Sequence, residues 1–198
     1  DFCRITGHRP NESYTLEKIM WLKKHEPDVY RKTYKVLQVK DYIIFRLTGA
    51  FVTDYSDASG TNALDLRHMK WSEPILDASG IDACLFPELH QSVDMAGYVT
   101  RKASELTGLC EGTPVMCGGG DGPCSAVGAG CVKDDELFAT FGTSAWIGGT
   151  SKQIFEDEDR ILMCFAHVIP GKYMPCGTMQ AAGSSYSYIR GLLEEGTP

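Results

Sequence analysis

The chain lacks several signatures that would fix a function class at once. It contains no uninterrupted apolar run of roughly 18 residues, which removes a membrane-spanning helix from consideration. No basic segment leading into an apolar core opens it, so no secretory leader is expected in this stretch. Basic residues are in deficit: 19 Lys plus Arg stand against 26 Asp plus Glu, a formal net charge of −7. That balance argues against a nucleic-acid binder or a polybasic membrane-surface protein, both of which present a basic stripe. There are eight cysteines but no Cys-x-x-Cys pair, and the five histidines are scattered. Zinc-site spacing is therefore missing, and reduced thiols used as small buried hydrophobes fit a cytoplasmic protein. No Gly-x-x-x-x-Gly-Lys-Ser/Thr string occurs, which excludes a P-loop nucleotidase on this segment.

What is present is an ordinary globular composition, 43% hydrophobic and 23% charged over 198 residues, enough for one large domain or two small ones. Helical spacing begins after Thr15, a candidate N-cap, with Leu16 and Ile19 inward and Trp21 expected in the core, and it ends at Pro27. A second helix is expected over 39–47, closed by Gly49. Strands are expected at 51–53 and 61–66 around a polar turn at 54–60. Short helices follow at 72–80 and 100–107. Pro114, Val115 and Met116 make a buried strand that runs into Gly118, Gly119, Gly120 and Asp121, with a small-residue helix over 126–130. From Glu136 the pattern becomes a β-meander and then a helix near 183–193. Helices and strands alternate, so the class is α/β, with a boundary near 130–134.

Three local features suit chemistry. A carboxylate at Asp121, reached through three residues without Cβ, stands where α/β proteins place substrates, and it can take a proton from a hydroxyl; the same residue also suits an Asx-turn or a helix cap. Gly142, Thr143 and Ser144 make a turn whose N–H groups and hydroxyls suit a phosphate, or simply join a hairpin. Gly183 starts a helix, a position that favours anions or is plain capping. Trp146 either walls a pocket or fills the core. The histidines have no partner at triad or metal spacing and read as surface or satisfied residues.

With these residues in place, the sequence resembles the FGGY carbohydrate kinase family. Ser13-Tyr14-Thr15-Leu16-Glu17-Lys18-Ile19-Met20-Trp21-Leu22-Lys23-Lys24-His25 matches the first family signature. Lys40-Asp41-Tyr42, Arg46-Leu47-Thr48-Gly49 and Thr53-Asp54-Tyr55-Ser56-Asp57-Ala58-Ser59-Gly60-Thr61 resemble its xylulokinase branch. The Gly-Gly-Gly-Asp string followed by Gly-Thr-Ser repeats the family's active-site order. The resemblance implies an actin-like, ribonuclease-H-like fold of two lobes. Residues 1–130 would be the C-terminal part of the first, sugar-binding lobe, and residues 131–198 the N-terminal part of the second, ATP-binding lobe. It implies ATP-dependent phosphorylation of a sugar hydroxyl with Mg²⁺, the sugar being a ketopentose such as D-xylulose. Glycerol, gluconate or ribulose kinases and a non-catalytic sugar- or nucleotide-binding module are the alternatives.

Carried over residue by residue, the resemblance makes Asp121 the general base and a possible Mg²⁺ neighbour. Ser13, Tyr14, Gly122 and Trp146 would lie at the sugar. Gly142, Thr143, Ser144, Gly183 and Ser187 would face the nucleotide. A homodimer is compatible with the family, and neither nucleic acid nor membrane is expected as a partner. The family's opening Asp-x-Gly-Thr hairpin and its second signature are absent, and Gly122 stands where many xylulokinases carry Asn and glycerol kinases Gln. The 198-residue chain made alone is therefore expected not to consume ATP in the presence of a pentulose. A coupled assay of ADP release checks this, and steady turnover would contradict it.

Overall fold

The structure, a computed structural model, describes residues 2–157, 159 and 161–195. Helix α1 (Phe2–Thr6) is followed by α2 (Thr15–His25), α3 (Pro27–Lys32) and α4 (Val39–Thr48). Then come β1 (Val52–Asp54), α5 (Tyr55–Ser59), the hairpin of β2 (Leu64–Asp65) and β3 (Lys70–Trp71), α6 (Glu73–Ser79), β4 (Glu88–His90), β5 (Met95–Tyr98), α7 (Arg101–Thr107) and β6 (Pro114–Met116). The remainder holds α8 (Asp121–Gly128), strands β7 (Leu137–Phe141), β8 (Ala145–Gly149), β9 (Met163–Ala166) and β10 (Tyr173–Met179), and α9 (Gly183–Glu195). Among the described residues no helix is long and apolar enough to cross a membrane.

The helices follow their punctuation. Leu16 and Ile19 turn α2 into a core of Ala63, Ile75, Leu76, Ile81, Leu85 and Phe86. Trp21 is not in that core, as its apolar character suggested; it is 57% exposed and stacks on His25 with ring centroids 4.8 Å apart. It lies two residues, about 200°, round the helix from Ile19. Pro27 ends α2 and also opens α3, because a first-turn proline needs no N–H partner. Gly49, Gly80 and Gly108 close α4, α6 and α7 in the left-handed conformation. The stretch 54–60, expected as a turn, is instead α5: Asp54 caps it by accepting the N–H groups of Ser56 and Asp57 at 3.0 and 3.3 Å.

Two small pairings hold the first part together. β1 runs parallel to β4, with Thr53 beside Leu89, and β5 pairs antiparallel with β6. The second part is a four-stranded antiparallel sheet in the order β7-β8-β10-β9. Ala126 of α8 is buried with Met174 and Cys176 on one face of it. The edge strand β9 is closed by the first part of the chain: Cys164 donates its N–H to Gly7 at 2.9 Å and Ala166 donates to Ser59 Oγ at 3.2 Å. Gly7 has φ +85°, and a Cβ there would stand 2.3 Å from the Cys164 carbonyl oxygen. Gly7→Ala is thus expected to destabilise the protein by about 2 kcal/mol or more, through both backbone strain and lost edge pairing. Urea unfolding checks this, and a midpoint equal to wild type would contradict the seam.

Candidate functional site

Strand β6 delivers Cys117 into the glycine string. Gly118 turns with φ +64°. Gly119 packs so tightly that a Cβ would meet Val168 Cγ1 at 2.1 Å and Ser56 Oγ at 3.0 Å. Gly120 is the N-cap of α8, so Asp121 is the first residue of a helix, not of a loop that precedes one at 126. A carboxylate there is favoured by the helix dipole. Asp121 is exposed; its Oδ1 accepts the N–H of Gly122 at 2.7 Å, and its second oxygen has no hydrogen-bond partner among the described residues. The side chain bonds the N–H of the next residue, which is neither an Asx-turn nor a helix cap, and keeps one oxygen open.

Gly122 and Trp146 come together. A Cβ on Gly122 would lie 3.6 Å from Trp146 Cη2 and 3.0 Å from the tip of Met174. Trp146 is half-buried and meets Phe138 edge-on at 4.9 Å. It therefore packs against the core and walls the space next to Gly122. Tyr14 reaches the same face of the sheet, where its hydroxyl donates to Met163 Sδ at 3.5 Å. Burial, helped by Cys176 and Glu17, pushes the Tyr14 phenol up. Ser13 is exposed and bonds only to its neighbour Asn11, through N–H and Oγ. Among the described residues no hydrogen bond links Ser13 or Tyr14 to Asp121.

The Gly-Thr-Ser turn joins β7 to β8 and is fully exposed. Gly142 donates to the Ser144 carbonyl at 2.8 Å, while the N–H groups of Thr143 and Ser144 have no acceptor among the described residues. The turn's carbonyls hold the start of α9: Ala182 and Ser184 donate to Thr143, and Gly183 donates to Gly142, at 2.9, 3.3 and 3.0 Å. A Cβ on Gly183 would lie 2.4 Å from the Gly142 carbonyl oxygen, so this glycine permits the contact. Its own N–H is spent on the turn, a contact of the plain capping kind. Ser187 is exposed one turn further along α9.

Sequence reasoning missed a polar cluster behind the glycines. Lys40 Nζ stands 2.6 Å from Asp41, 3.2 Å from Asp54 and 3.8 Å from Asp57, and donates to the Cys117 carbonyl at 3.1 Å. Asp41 and Asp54 are fully buried. Burial pulls the Lys40 ammonium down, but the three carboxylates outweigh it and hold its pKa above the ordinary value. Burial pushes the Asp57 carboxyl up to about 6, opposed by Lys40 and reinforced by Asp41, Asp54 and Asp121. Sequence alone gave only the spacing of these charges, which is that of any exposed helix. His8 is a second surprise: buried between Tyr14 and Phe165 at 4.8 and 4.9 Å, neither ring nitrogen has a partner, and burial pulls its pKa down to about 4. His167, by contrast, is satisfied by Thr150 Oγ1 and the N–H of Ile169.

Two tests of fit bear on the expected phosphate and metal. The unengaged N–H groups of Thr143 and Ser144 fit a phosphate. For Mg²⁺ the residues do not fit: among the described residues no group of three or more His, Cys, Asp or Glu is arranged to hold a metal, and the Asp41, Asp54 and Asp57 carboxylates already surround an ammonium. A groove of about 680 Å³ is lined by Leu137, Trp146, Ile147, Pro175 and Met179, and Asp121 is not among its lining residues.

An α/β chain with Asp121 behind three glycines, and an open Gly-Thr-Ser turn on the hairpin that follows, has the outline of a sugar kinase. Residues 1–128 match the profile of the FGGY family of carbohydrate kinases, N-terminal domain, and the chain belongs to that family. Among its relatives are the xylulose kinases of Lactococcus lactis, 34% identical over 97% of this chain and 38% of that protein, and of Bacillus subtilis, 36% identical over 94% and 37%. The crystal structure of xylulose kinase from Rhodospirillum rubrum superposes with a TM-score of 0.92 at 30% identity, covering 99% of this chain and 40% of that one. The chain thus spans less than half the length of the relatives it matches.

The raised Asp57 carboxyl gives a signed prediction. A carboxyl whose folded pKa lies above its unfolded value contributes stability that is complete below about pH 4 and is lost as pH rises through about 6. Asp57→Asn cannot ionise, so its stability relative to wild type should improve by roughly 1–2 kcal/mol between pH 4 and pH 7.5. Parallel denaturation series at the two pH values check this; a pH-independent difference would contradict it.

Proposed function

We propose that this chain is part of an ATP-dependent kinase for a small sugar, with Asp121 as general base and D-xylulose as the favoured acceptor. Residues 1–130 would belong to its sugar-binding lobe and 131–198 to its ATP-binding lobe. The observation that carries the reading is the open Asp121 oxygen at the start of α8, next to Gly122, which faces the half-buried Trp146. Family membership supports ATP as the donor, and the xylulose kinase relatives support a pentulose as the acceptor.

In this mechanism Asp121 takes the proton of one sugar hydroxyl as the hydroxyl oxygen bonds to the γ-phosphorus. The bond from that phosphorus to the β–γ bridging oxygen breaks, and ADP leaves with the electron pair. Most of the barrier is met by positioning and by charge stabilisation rather than by covalent chemistry. The N–H groups of Thr143 and Ser144, without an acceptor among the described residues, would donate to phosphate oxygens of the nucleotide. Gly122 carries no side chain toward the sugar, so Trp146 and Tyr14 supply the nearer walls. Mg²⁺, which accompanies ATP, would neutralise phosphate charge; no step is routed through a metal held by this chain.

Asp121→Asn, in the natural full-length polypeptide that contains this chain, should lower kcat about 10²–10⁴-fold while pentulose binding persists. Coupled ADP release and calorimetric titration of the sugar read the two quantities. Near-normal turnover would refute the base role, and sugar binding without turnover in the wild type would favour a non-catalytic binding module.

A further inference from the structure

The glycine string is held at several of its backbone polar groups. Cys117 donates its N–H to the Asp94 carbonyl at 2.9 Å, and its own carbonyl accepts Lys40 Nζ at 3.1 Å. Gly118 donates to the Ser92 carbonyl at 3.0 Å. Gly120, the residue immediately before Asp121, donates to Ser56 Oγ at 2.9 Å. Ser56 and Ser92 in turn each give their single hydroxyl proton to the same oxygen, Asp54 Oδ2, both at 2.5 Å. Asp54 is fully buried, and its other oxygen faces Lys40 at 3.2 Å.

The direction of each bond follows from what each group can do. An ionised carboxylate only accepts, so the Ser56 proton must point to Asp54, leaving a lone pair for Gly120 N–H. The Lys40 ammonium donates to Asp41 and to the Cys117 carbonyl, and pairs with Asp54 as an ion pair at 3.2 Å. Two serines that bracket the glycine string, from α5 and from the loop after β4, are thus fixed by one carboxylate, and that carboxylate is fixed by one lysine.

We propose that Lys40, Asp54 and Ser56 form a positioning relay for Asp121, setting the start of α8 so that the open carboxylate oxygen meets the acceptor hydroxyl. None of the three touches the reacting atoms; they act through the backbone of Gly120 and Cys117. This rests on the kinase reading above and deepens it. A base displaced by a fraction of an ångström loses rate while the surfaces that bind sugar and nucleotide are unchanged. The relay should therefore be visible in kcat and not in KM.

The test uses Ser56→Ala in the natural full-length polypeptide that contains this chain, beside wild type and Asp121→Asn. The expected result is a kcat lower by about 10- to 100-fold with both KM values within about threefold, and faster amide hydrogen exchange in the peptide covering Cys117–Gly122. A kcat within about twofold of wild type, or a loss carried by KM, overturns the relay. If Ser56→Ala does not fold, Ser56→Thr and Ser56→Val decide, since they share a shape and differ in the hydroxyl. Thr at least about tenfold above Val supports the relay, and equal values overturn it. An inactive wild type would sink the kinase reading itself and a fully active Asp121→Asn its base assignment; an active wild type, a dead Asp121→Asn and a normal Ser56→Ala would sink only the relay.

Discussion

The Lys40 ammonium is the interaction on which the rest of this structure depends. Two fully buried carboxylates, Asp41 and Asp54, would each be several kcal/mol too costly to strip of water if no cation stood between them. Lys40 lies within 3.2 Å of both and donates to the Cys117 carbonyl. One side chain thus joins α4, the end of β1 and the end of β6. Because Asp54 also caps α5, the same charge fixes a helix start, two serine hydroxyls and the glycine string. Such a cluster adds little net stability over an apolar core of equal volume, so its worth lies in geometry more than in free energy.

That geometry converges on one short segment. Gly119 leaves no room for a side chain because Val168 and Ser56 occupy the space, Gly118 turns with φ +64°, and the chain emerges from them directly into α8. The four-stranded sheet docks behind it through Met174 and Trp146, while its free edge is sealed by Gly7 and Ser59. The two parts of the chain therefore meet along a seam, with Asp121 at one end of it. On the next hairpin the Gly-Thr-Ser turn turns its carbonyls to α9 and leaves two N–H groups outward.

Much of this was readable from the residues. The Gly-Gly-Gly-Asp string, the helix-closing glycines at 49, 80 and 108, the run of strands from Leu137 and the membership in the sugar kinase family all had local signals; the expected meander is not formed, because β10 lies between β8 and β9. The failures have physical causes. A five-residue helix is too short to show a period, so α5 looked like a turn; its only mark was Asp54 as a cap. Strands β4 and β5 were missed because three or four residues cannot show alternation and their partners lie far along the chain. Asp41 and Asp54 stood in family-like motifs, but their convergence on Lys40 had no local signal, since Asp54 is 14 residues from Lys40 in sequence. His8 carried no signal at all, because an unpartnered buried imidazole has no pattern.

The central claim is that the Asp121 carboxylate is held where it can take a proton from the acceptor alcohol. The most direct measurement is a crystal structure of the natural full-length polypeptide with a pentulose and a non-hydrolysable ATP analogue bound. The account predicts one Asp121 oxygen about 2.6–3.2 Å from a single sugar hydroxyl that also faces the terminal phosphorus. A carboxylate turned from the sugar, with another residue's base at that hydroxyl, would contradict it.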